Sequence, residues 1–298
     1  MIRKKVSNKM EAPVLGYMFT APSVILIIIL LFVPMAESVY LSFFNTSLNN
    51  PAPRYIGFNG YIDVIKDPYT LILLRNSMVW TIAVAAFQFI IGLSGALILN
   101  KQFRGRMIIR SLTVLPWVIP GVVAAMIWKL FYDVQFGFLN SLLIKLGLGS
   151  NYIDWLGTPG LATGSVIAAA VWKGFGFSLL MMLAALQSVP IELYESSKID
   201  GTNVVQQFFC VTIPFISDVI KTTLLLISIA TFNYFEFVWV MTQGGPIKST
   251  HIAPTYIYQQ AFRSFNQGQS SRYAVLSFIL VSVVSIIYIR RIQKREKF

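Results

Sequence analysis

Cysteine and histidine are almost missing from this 298-residue chain, which has one of each, Cys210 and His251. A single cysteine rules out an internal disulfide framework. A lone histidine with no ligand-type neighbours at useful spacing leaves no metal-binding pattern. Charge is scarce too, at 12% of residues, about half of what soluble domains carry. With 56% hydrophobic residues, the chain is not an ordinary soluble domain. Acidic residues are the scarcer sign, 12 against 24 Lys and Arg, for a formal net charge of +12. Nucleotide-binding and hydrolytic signatures are also missing: there is no G-x-x-x-x-G-K-[ST], no H-E-x-x-H and no G-x-S-x-G. An intramembrane enzyme would have no nucleophile–base pair or metal cluster to work with. Any uphill transport must take its ATP chemistry from another chain.

What the chain has in abundance is long apolar runs. Ala12 to Ala36 and Asn76 to Asn100 hold no charge. Ser111 to Trp128 is fenced by Arg110 and Lys129, and Tyr273 to Ile289 by Arg272 and Arg290. Leu161 to Leu186 is interrupted only by Lys173, and Gln206 to Met241 holds Asp218, Lys221 and Glu236. A bilayer is crossed by about 20 apolar residues, so these runs predict six transmembrane helices. The expected fold is all-α and polytopic, one transmembrane domain over residues 1–298, with no internal repeat or domain boundary. Arg3, Lys4 and Lys5 precede the first run, but its apolar part is too long for a signal peptide, and a retained helix is expected. Cys210 falls near the start of the fifth span. Asp218 and Lys221, three apart near its inner end, can pair on one helix face. Pro116 and Pro120 predict a kink in the third span. The stretches 45–71, 133–160 and 242–272 are expected to form short helices and turns on the outer membrane face.

The placement of the basic residues argues for a membrane rather than nucleic acid as the partner of this positive charge. With the N-terminus inside, the inner segments carry Arg3, Lys4, Lys5, Lys9, Lys101, Arg104, Arg106, Arg110, Lys198, Arg290, Arg291, Lys294, Arg295 and Lys297. The longer outer segments carry only Arg54, Lys66, Lys145, Lys248, Arg263 and Arg272. This bias puts both termini in the cytoplasm, with the basic tails against anionic lipid headgroups.

One polar, acid-bearing stretch interrupts the apolar pattern, Leu193 to Pro214. Pro190 suits the first turn of a helix, and Glu192 and Glu195 suit the positive end of its dipole. Gly201 suits a left-handed stop. The prediction is a short cytoplasmic helix over about 191–201. The spacing is Glu195-Ser196-Ser197, three residues, Gly201, nine residues, Val211-Thr212-Ile213-Pro214. This resembles the EAA loop of ABC importer permeases, Glu-Ala-Ala, three residues, Gly, nine residues, Ile-x-Leu-Pro. All spacings agree, as do Glu195, Gly201 and Pro214; the two Ser-for-Ala changes, Val for Ile and Ile for Leu are mild departures.

Six helices with such a loop before the fifth resemble the permease core over almost the whole chain. Within that family the likeness is to the carbohydrate group, and to the larger partner of the maltose-type pair. It rests on Trp172-Lys173-Gly174-Phe175-Gly176-Phe177, Phe232-Asn233-Tyr234-Phe235 and Thr242-Gln243-Gly244-Gly245-Pro246. That partner's extra N-terminal helix pair and large outer domain have no counterpart here. The resemblance implies a sugar-importer permease of the bacterial cytoplasmic membrane, non-enzymatic and free of cofactors. ATP and Mg would be bound by two copies of a separate ATPase. A second, homologous permease would complete a heterodimer, and an extracytoplasmic solute-binding protein would deliver the sugar. Coupling to the ATPase would fall to Glu195, Ser196, Ser197, Asp200, Gly201 and Pro214. Substrate contact would fall to Lys173, Gly174 and Phe177 on span four and to Asn233, Tyr234 and Glu236 on span five. Phe177 and Tyr234 would stack on the sugar, and Gly174 would leave room for its ring. The maltose-type partner has Asn where this chain has Ala170 and Tyr234, so identical contacts are not available. Lys173 and Glu236 could instead neutralise one another or pair with the second subunit. A phosphorylated polyol such as glycerol phosphate is the alternative cargo, and a stand-alone secondary transporter the alternative mechanism.

Overall fold

In hydrocarbon no water is available to pair with the backbone, so apolar runs must close their own hydrogen bonds as helices. The computed structural model describes residues 11–47, 50–148 and 151–293. The basic residues Arg3, Lys4, Lys5, Lys9, Lys294, Arg295 and Lys297 lie outside the described residues, and with them the expected sidedness of the termini. Helix α1 (Glu11–Ile27) passes through a π-turn (Ile28–Phe32) into α2 (Val33–Ser42), giving an apolar span over Gly16–Ser42. Pro34 has no N–H to give the carbonyl four residues back, and the turn before it widens.

The stretch that follows does not form only helices and turns. Strands β1 (Phe44–Ser47) and β2 (Asn50–Tyr55) pair antiparallel, Phe44 opposite Tyr55 with ring centroids 5.3 Å apart. Cross-strand aromatic pairing holds this ribbon, and Pro53 is tolerated because both strands are edges. Helix α3 (Asn59–Lys66) leads to α4 (Pro68–Asn100), whose first turn is capped by Asp67 accepting from the Tyr69 N–H at 2.9 Å.

The third span is not one kinked helix. It is α5 (Arg106–Val118) and α6 (Gly121–Phe131), set at 97° to each other. Pro120 cannot donate, and it pushes Ile119 out of the helical region into an extended conformation (ψ 135°). Among the described residues five helices are thus long and apolar enough to cross a membrane, or six if this bent pair is one span. Helix α7 (Phe138–Lys145) follows, and its buried Asn140 clamps the segments on both sides of it, donating to the Val134 and Ile153 carbonyls and accepting from the Ile153 N–H and the Trp155 indole N–H.

Helix α8 (Leu161–Gln187) is the fourth span, and the short α9 (Ile191–Ile199) follows it. The expected fifth span divides. Helix α10 (Val204–Gln207), a π-turn (Phe208–Thr212) and α11 (Ile213–Phe215) make a separate short apolar helix, and Cys210 belongs to it rather than to the span. This π-turn, like the first, ends two residues before a proline, here Pro214. The span itself is α12 (Ser217–Phe232) and α13 (Phe235–Thr242), interrupted at Asn233-Tyr234. Asp218 and Lys221 form the expected ion pair on α12. Helix α14 (Ala253–Phe262) and the last span, α15 (Gln267–Gln293), complete the chain.

The core is the α4–α8 pair. Lipid tails are as apolar as leucine, so helices in a bilayer associate through close packing and a few hydrogen bonds rather than hydrophobic burial. Here glycines permit that approach. A Cβ at Gly92 would meet Ser178 Cβ at 2.5 Å and the Leu179 N at 2.8 Å. Gln88 on α4 donates to the Ala170 carbonyl at 3.0 Å, and the Trp80 indole N–H donates to the Thr231 carbonyl of α12 at 2.9 Å. At the end of the bundle opposite α9, the loop after α13 folds over these helices. There Thr242 and Thr250 hydroxyls meet at 2.7 Å, and the buried His251 ring stands 3.2 Å from the Thr255 hydroxyl.

Two outcomes follow from this packing. Gly92→Leu should lower stability by about 1–3 kcal/mol through overpacking, read as the thermal unfolding of the detergent-solubilised protein. Gly16→Leu should be silent, since a Cβ there meets nothing within 4 Å. Burial, helped by the neighbouring Lys248 charge, holds the His251 pKa down at about 4, below the roughly 6.5 of the unfolded chain. The unfolded state therefore takes up the proton first. The stabilisation is complete above about pH 6.5 and is lost as pH falls toward the folded value. His251→Asn should flatten this part of the acid unfolding curve, and an unchanged curve would show that His251 does not titrate on unfolding.

Candidate functional site

Helix α9 begins after Pro190, which stands in extended conformation as its N-cap, and carries Glu192 in its first turn. It ends in a Schellman arrangement. Gly201 adopts a left-handed φ of 78°, the Gly201 N–H donates to the Lys198 carbonyl at 3.0 Å, and the Thr202 N–H donates to the Ser197 carbonyl at 3.1 Å. The Thr202 hydroxyl gives the same Ser197 carbonyl a further bond at 2.6 Å. Asp200 is the C-cap residue. Glu195, Ser196 and Asp200 are exposed, and Ser197 is buried with its hydroxyl on the Tyr194 carbonyl. The Tyr194 hydroxyl lies 3.0 Å from that of Thr212, which ties α9 to the π-turn ahead of Pro214. Ile199 and Val204 are 87% and 81% exposed. The chain thus leaves an acidic helix with an apolar flank uncovered, a surface suited to another protein.

The second centre is the break between α5 and α6. A helix that ends leaves its last four carbonyls and first four N–H groups without helical partners, and inside a bilayer these need other partners. The buried Lys173 ammonium of α8 donates to the Trp117 carbonyl, in the last turn of α5, at 2.7 Å. On the other side of the break, the Glu236 carboxylate of α13 stands against Gly121, the first residue of α6. Each charge complements the helix end it faces, cation at the carbonyl end and anion at the N–H end. Lys173 and Glu236 form no ion pair with each other; the one ion pair among the described residues is Asp218–Lys221. The packing matches, for α5 lies on α8 and α6 lies on α13.

The other expected substrate residues fall in different places. Phe177 joins Lys173 at the break, its ring 5.8 Å from that of Trp117. Tyr234 stands 5.8 Å from Phe237 and packs against the apolar core. Gly174 does not leave room for a ring: it is buried, and the Gln88 side chain of α4 occupies the space beside it. Asn233 gives its amide to the Ile229 carbonyl at 2.9 Å and opens on a separate cleft of about 460 Å³ that none of Lys173, Phe177 and Glu236 lines. Trp117, Gly121 and Gln88 are the participants that sequence reasoning missed. The Pro116–Pro120 spacing marked the region of the first two, and a glutamine inside an uncharged span was the signal for the third. Among the described residues no group of three His, Cys, Asp or Glu side chains is placed to hold a metal.

Comparison with known proteins gives a consistent picture. The family model described as "Binding-protein-dependent transport system inner membrane component" matches residues 88–297. The chain is 30% identical over 279 residues to the trehalose/maltose transport system permease protein of Thermococcus litoralis, covering 93% of this chain and 92% of that one. It is 31% identical over 283 residues to the sulfoquinovosyl glycerol transport system permease protein of Agrobacterium fabrum, covering 95% and 91%. A solved bacterial ABC transporter involved in the import of the acidic polysaccharide alginate contains a chain of the same fold. That chain has a TM-score of 0.84 at 21% identity, with 98% of this chain and 99% of that one covered.

The geometry at the break makes a direct prediction. Lys173→Met leaves the Trp117 carbonyl without its partner and should cost about 1–3 kcal/mol. Glu236→Gln, which removes a charge but no hydrogen bond, should cost less. Thermal unfolding of the purified variants checks both; a Lys173→Met protein as stable as the wild type would mean that the carbonyl is satisfied in another way.

Proposed function

The chain belongs to the family of binding-protein-dependent transport system inner membrane components, and on that premise we propose that its cargo is a sugar or oligosaccharide. It is a multi-pass ABC importer permease, a non-enzymatic transport component that works with an ATPase and a solute-binding protein. The carbohydrate reading is supported by the relatives named for trehalose/maltose and sulfoquinovosyl glycerol transport. In this reading the chain pairs with a second, similar permease, two copies of the ATPase lie beneath the pair, and both termini and α9 are cytoplasmic.

The observation that carries the coupling role is the exposed acidic helix with its fixed end. Glu195 meets a basic residue in a cleft on the ATPase, with Ser196, Ser197, Asp200 and Gly201 shaping the helix and Pro214 the apolar helix behind it. ATPase closure moves α9 as a rigid body. The Tyr194–Thr212 contact carries that motion toward α12, and the direct chain connection through Ser188 carries it to α8. These two elements bear the path. Lys173, Phe177, Tyr234 and Glu236 line that path or hold its walls, while Gly174 and Asn233 act through the packing of α4 and of the α13 junction. A phosphorylated polyol remains the alternative cargo. The lysine that suggested it already gives one of its protons to the Trp117 carbonyl.

Two substitutions test the coupling. Glu195→Lys puts like charge against the ATPase cleft, and Gly201→Val forces a β-branched residue to a positive φ, at a cost of about 1–3 kcal/mol. Both should insert in the membrane and assemble, yet lose sugar-stimulated ATP hydrolysis, with transport falling in parallel. Stimulation at the wild-type level in a correctly assembled Glu195→Lys importer would refute the docking role of α9.

A further inference from the structure

At the end of the bundle opposite α9 lies a cavity of about 420 Å³ between α4, the start of α8, α13 at Val238 and the loop that follows α13. Its polar lining is Arg75, Asn76, Thr163, Lys248, Ser249 and Thr250, and it contains no Asp or Glu. Arg75 stands on α4 immediately before the uncharged run 76–100, with its side chain exposed. It makes no hydrogen bond or ion pair with any described residue. Lys248 lies with its ammonium 4.3 Å from the centre of the Tyr69 ring. Its backbone is held at a positive φ of 61° and fastened by the Asn76 amide, which donates to the Lys248 and Ser249 carbonyls at 3.3 and 3.2 Å. The Ser249 hydroxyl is buried without a hydrogen-bond partner, and the Thr163 hydroxyl donates to the Ser249 carbonyl at 3.4 Å. Gly160 opens the 27-residue α8 without a side-chain cap, and its positive end borders the same space.

We propose that this cavity is a subsite for the anionic group of an acidic, monosaccharide-sized solute: a carboxylate, phosphate or sulfonate. The charge is one-sided, with two cations and a helix N-terminus and nothing acidic on the walls. The volume is within the range of about 300–1,000 Å³ typical of small-molecule pockets, more than a single acidic side chain of a docked protein would fill. This rests on the permease reading, in which the face away from α9 is the outer one, where solute arrives. Arg75 and Lys248 hold the anion, and the solute then has a fixed orientation above the path.

Isothermal titration of the full-length, detergent-solubilised chain with glucuronate and with glucose tests the subsite. Glucuronate should bind at least about tenfold more tightly than glucose, and its affinity should fall as salt is raised. Arg75→Gln and Lys248→Gln should each weaken glucuronate by about tenfold, whereas Arg75→Lys, which keeps the charge, should retain most of it. Equal affinity for the two sugars, or unchanged glucuronate binding in the Arg75→Gln/Lys248→Gln double variant, would overturn the proposal. Repeating the titration in nanodiscs distinguishes the source of the anion. Binding that persists in both phosphatidylcholine and phosphatidylglycerol discs supports a solute site; binding abolished only by phosphatidylglycerol assigns the cavity to a lipid headgroup and overturns it. Absence of glucuronate binding in an importer whose sugar-stimulated ATP hydrolysis is intact would remove this subsite and leave the permease reading standing.

Discussion

Every carbonyl and N–H that leaves a helix inside a bilayer needs a partner from the protein, and in this chain the requirement is concentrated at the break between α5 and α6. Pro120 ends the helical run, so the last carbonyls of α5 and the first N–H groups of α6 are exposed to a medium that cannot solvate them. Lys173 reaches one of those carbonyls from α8, and Glu236 stands at the opposite helix end from α13. The 97° bend is therefore held by the fourth and fifth spans. Those spans are in turn held by α4, through the glycine-lined contact with α8 and the Trp80 bond to Thr231. Intramembrane charge, helix geometry and close packing form one connected arrangement.

The same two spans are joined at their far ends by α9 and the short helix after it. A rigid connection needs ends that do not fray. The Schellman closure at Gly201, the extra Thr202 bond to the Ser197 carbonyl and the Tyr194–Thr212 contact supply that stiffness with local hydrogen bonds alone. A movement imposed on α9 would reach α8, which meets the break at its midpoint through Lys173, and, through α12, the α13 helix that carries Glu236. On the coupling proposed for α9, this would be the route by which a partner's ATP cycle changes the shape of the path. The proposal needs no reactive group in this chain, in keeping with its non-enzymatic family.

The opposite end of the bundle is organised by polar contacts between segments far apart in sequence. Asn76 holds the loop at Lys248 and Ser249, Ser77 accepts from the Ala253 N–H at 2.9 Å, and Asn140 fixes the stretch around Ile153 to Trp155. These contacts leave a cationic cavity facing away from α9. His251 is buried among them, and burial with the neighbouring Lys248 charge pushes its pKa down.

The sequence by itself determined the features that depend on near neighbours. Uncharged runs long enough for a bilayer had to be helices, since no other conformation closes its own hydrogen bonds there. Gly201 had to be where α9 stops, because glycine alone enters the left-handed region without strain. Asp218 and Lys221, one turn apart, could pair on one helix face, and they do. Tertiary structure decided whatever depended on which helix lies against which. Two prolines foretold a disturbance in the third span, but the size of the bend came from α5 packing on α8 and α6 on α13. Gly174 was read as space for a ligand and proved to be space for Gln88; Asn233 turned to another cleft. The hairpin at Phe44 to Tyr55 was hidden because its strands are short and held by cross-strand rings rather than by a local pattern. The cavity unites positions 75, 163 and 249, and no local periodicity connects residues so distant. Side-chain direction along one helix can be read from spacing, but what meets that side chain is set by packing between helices.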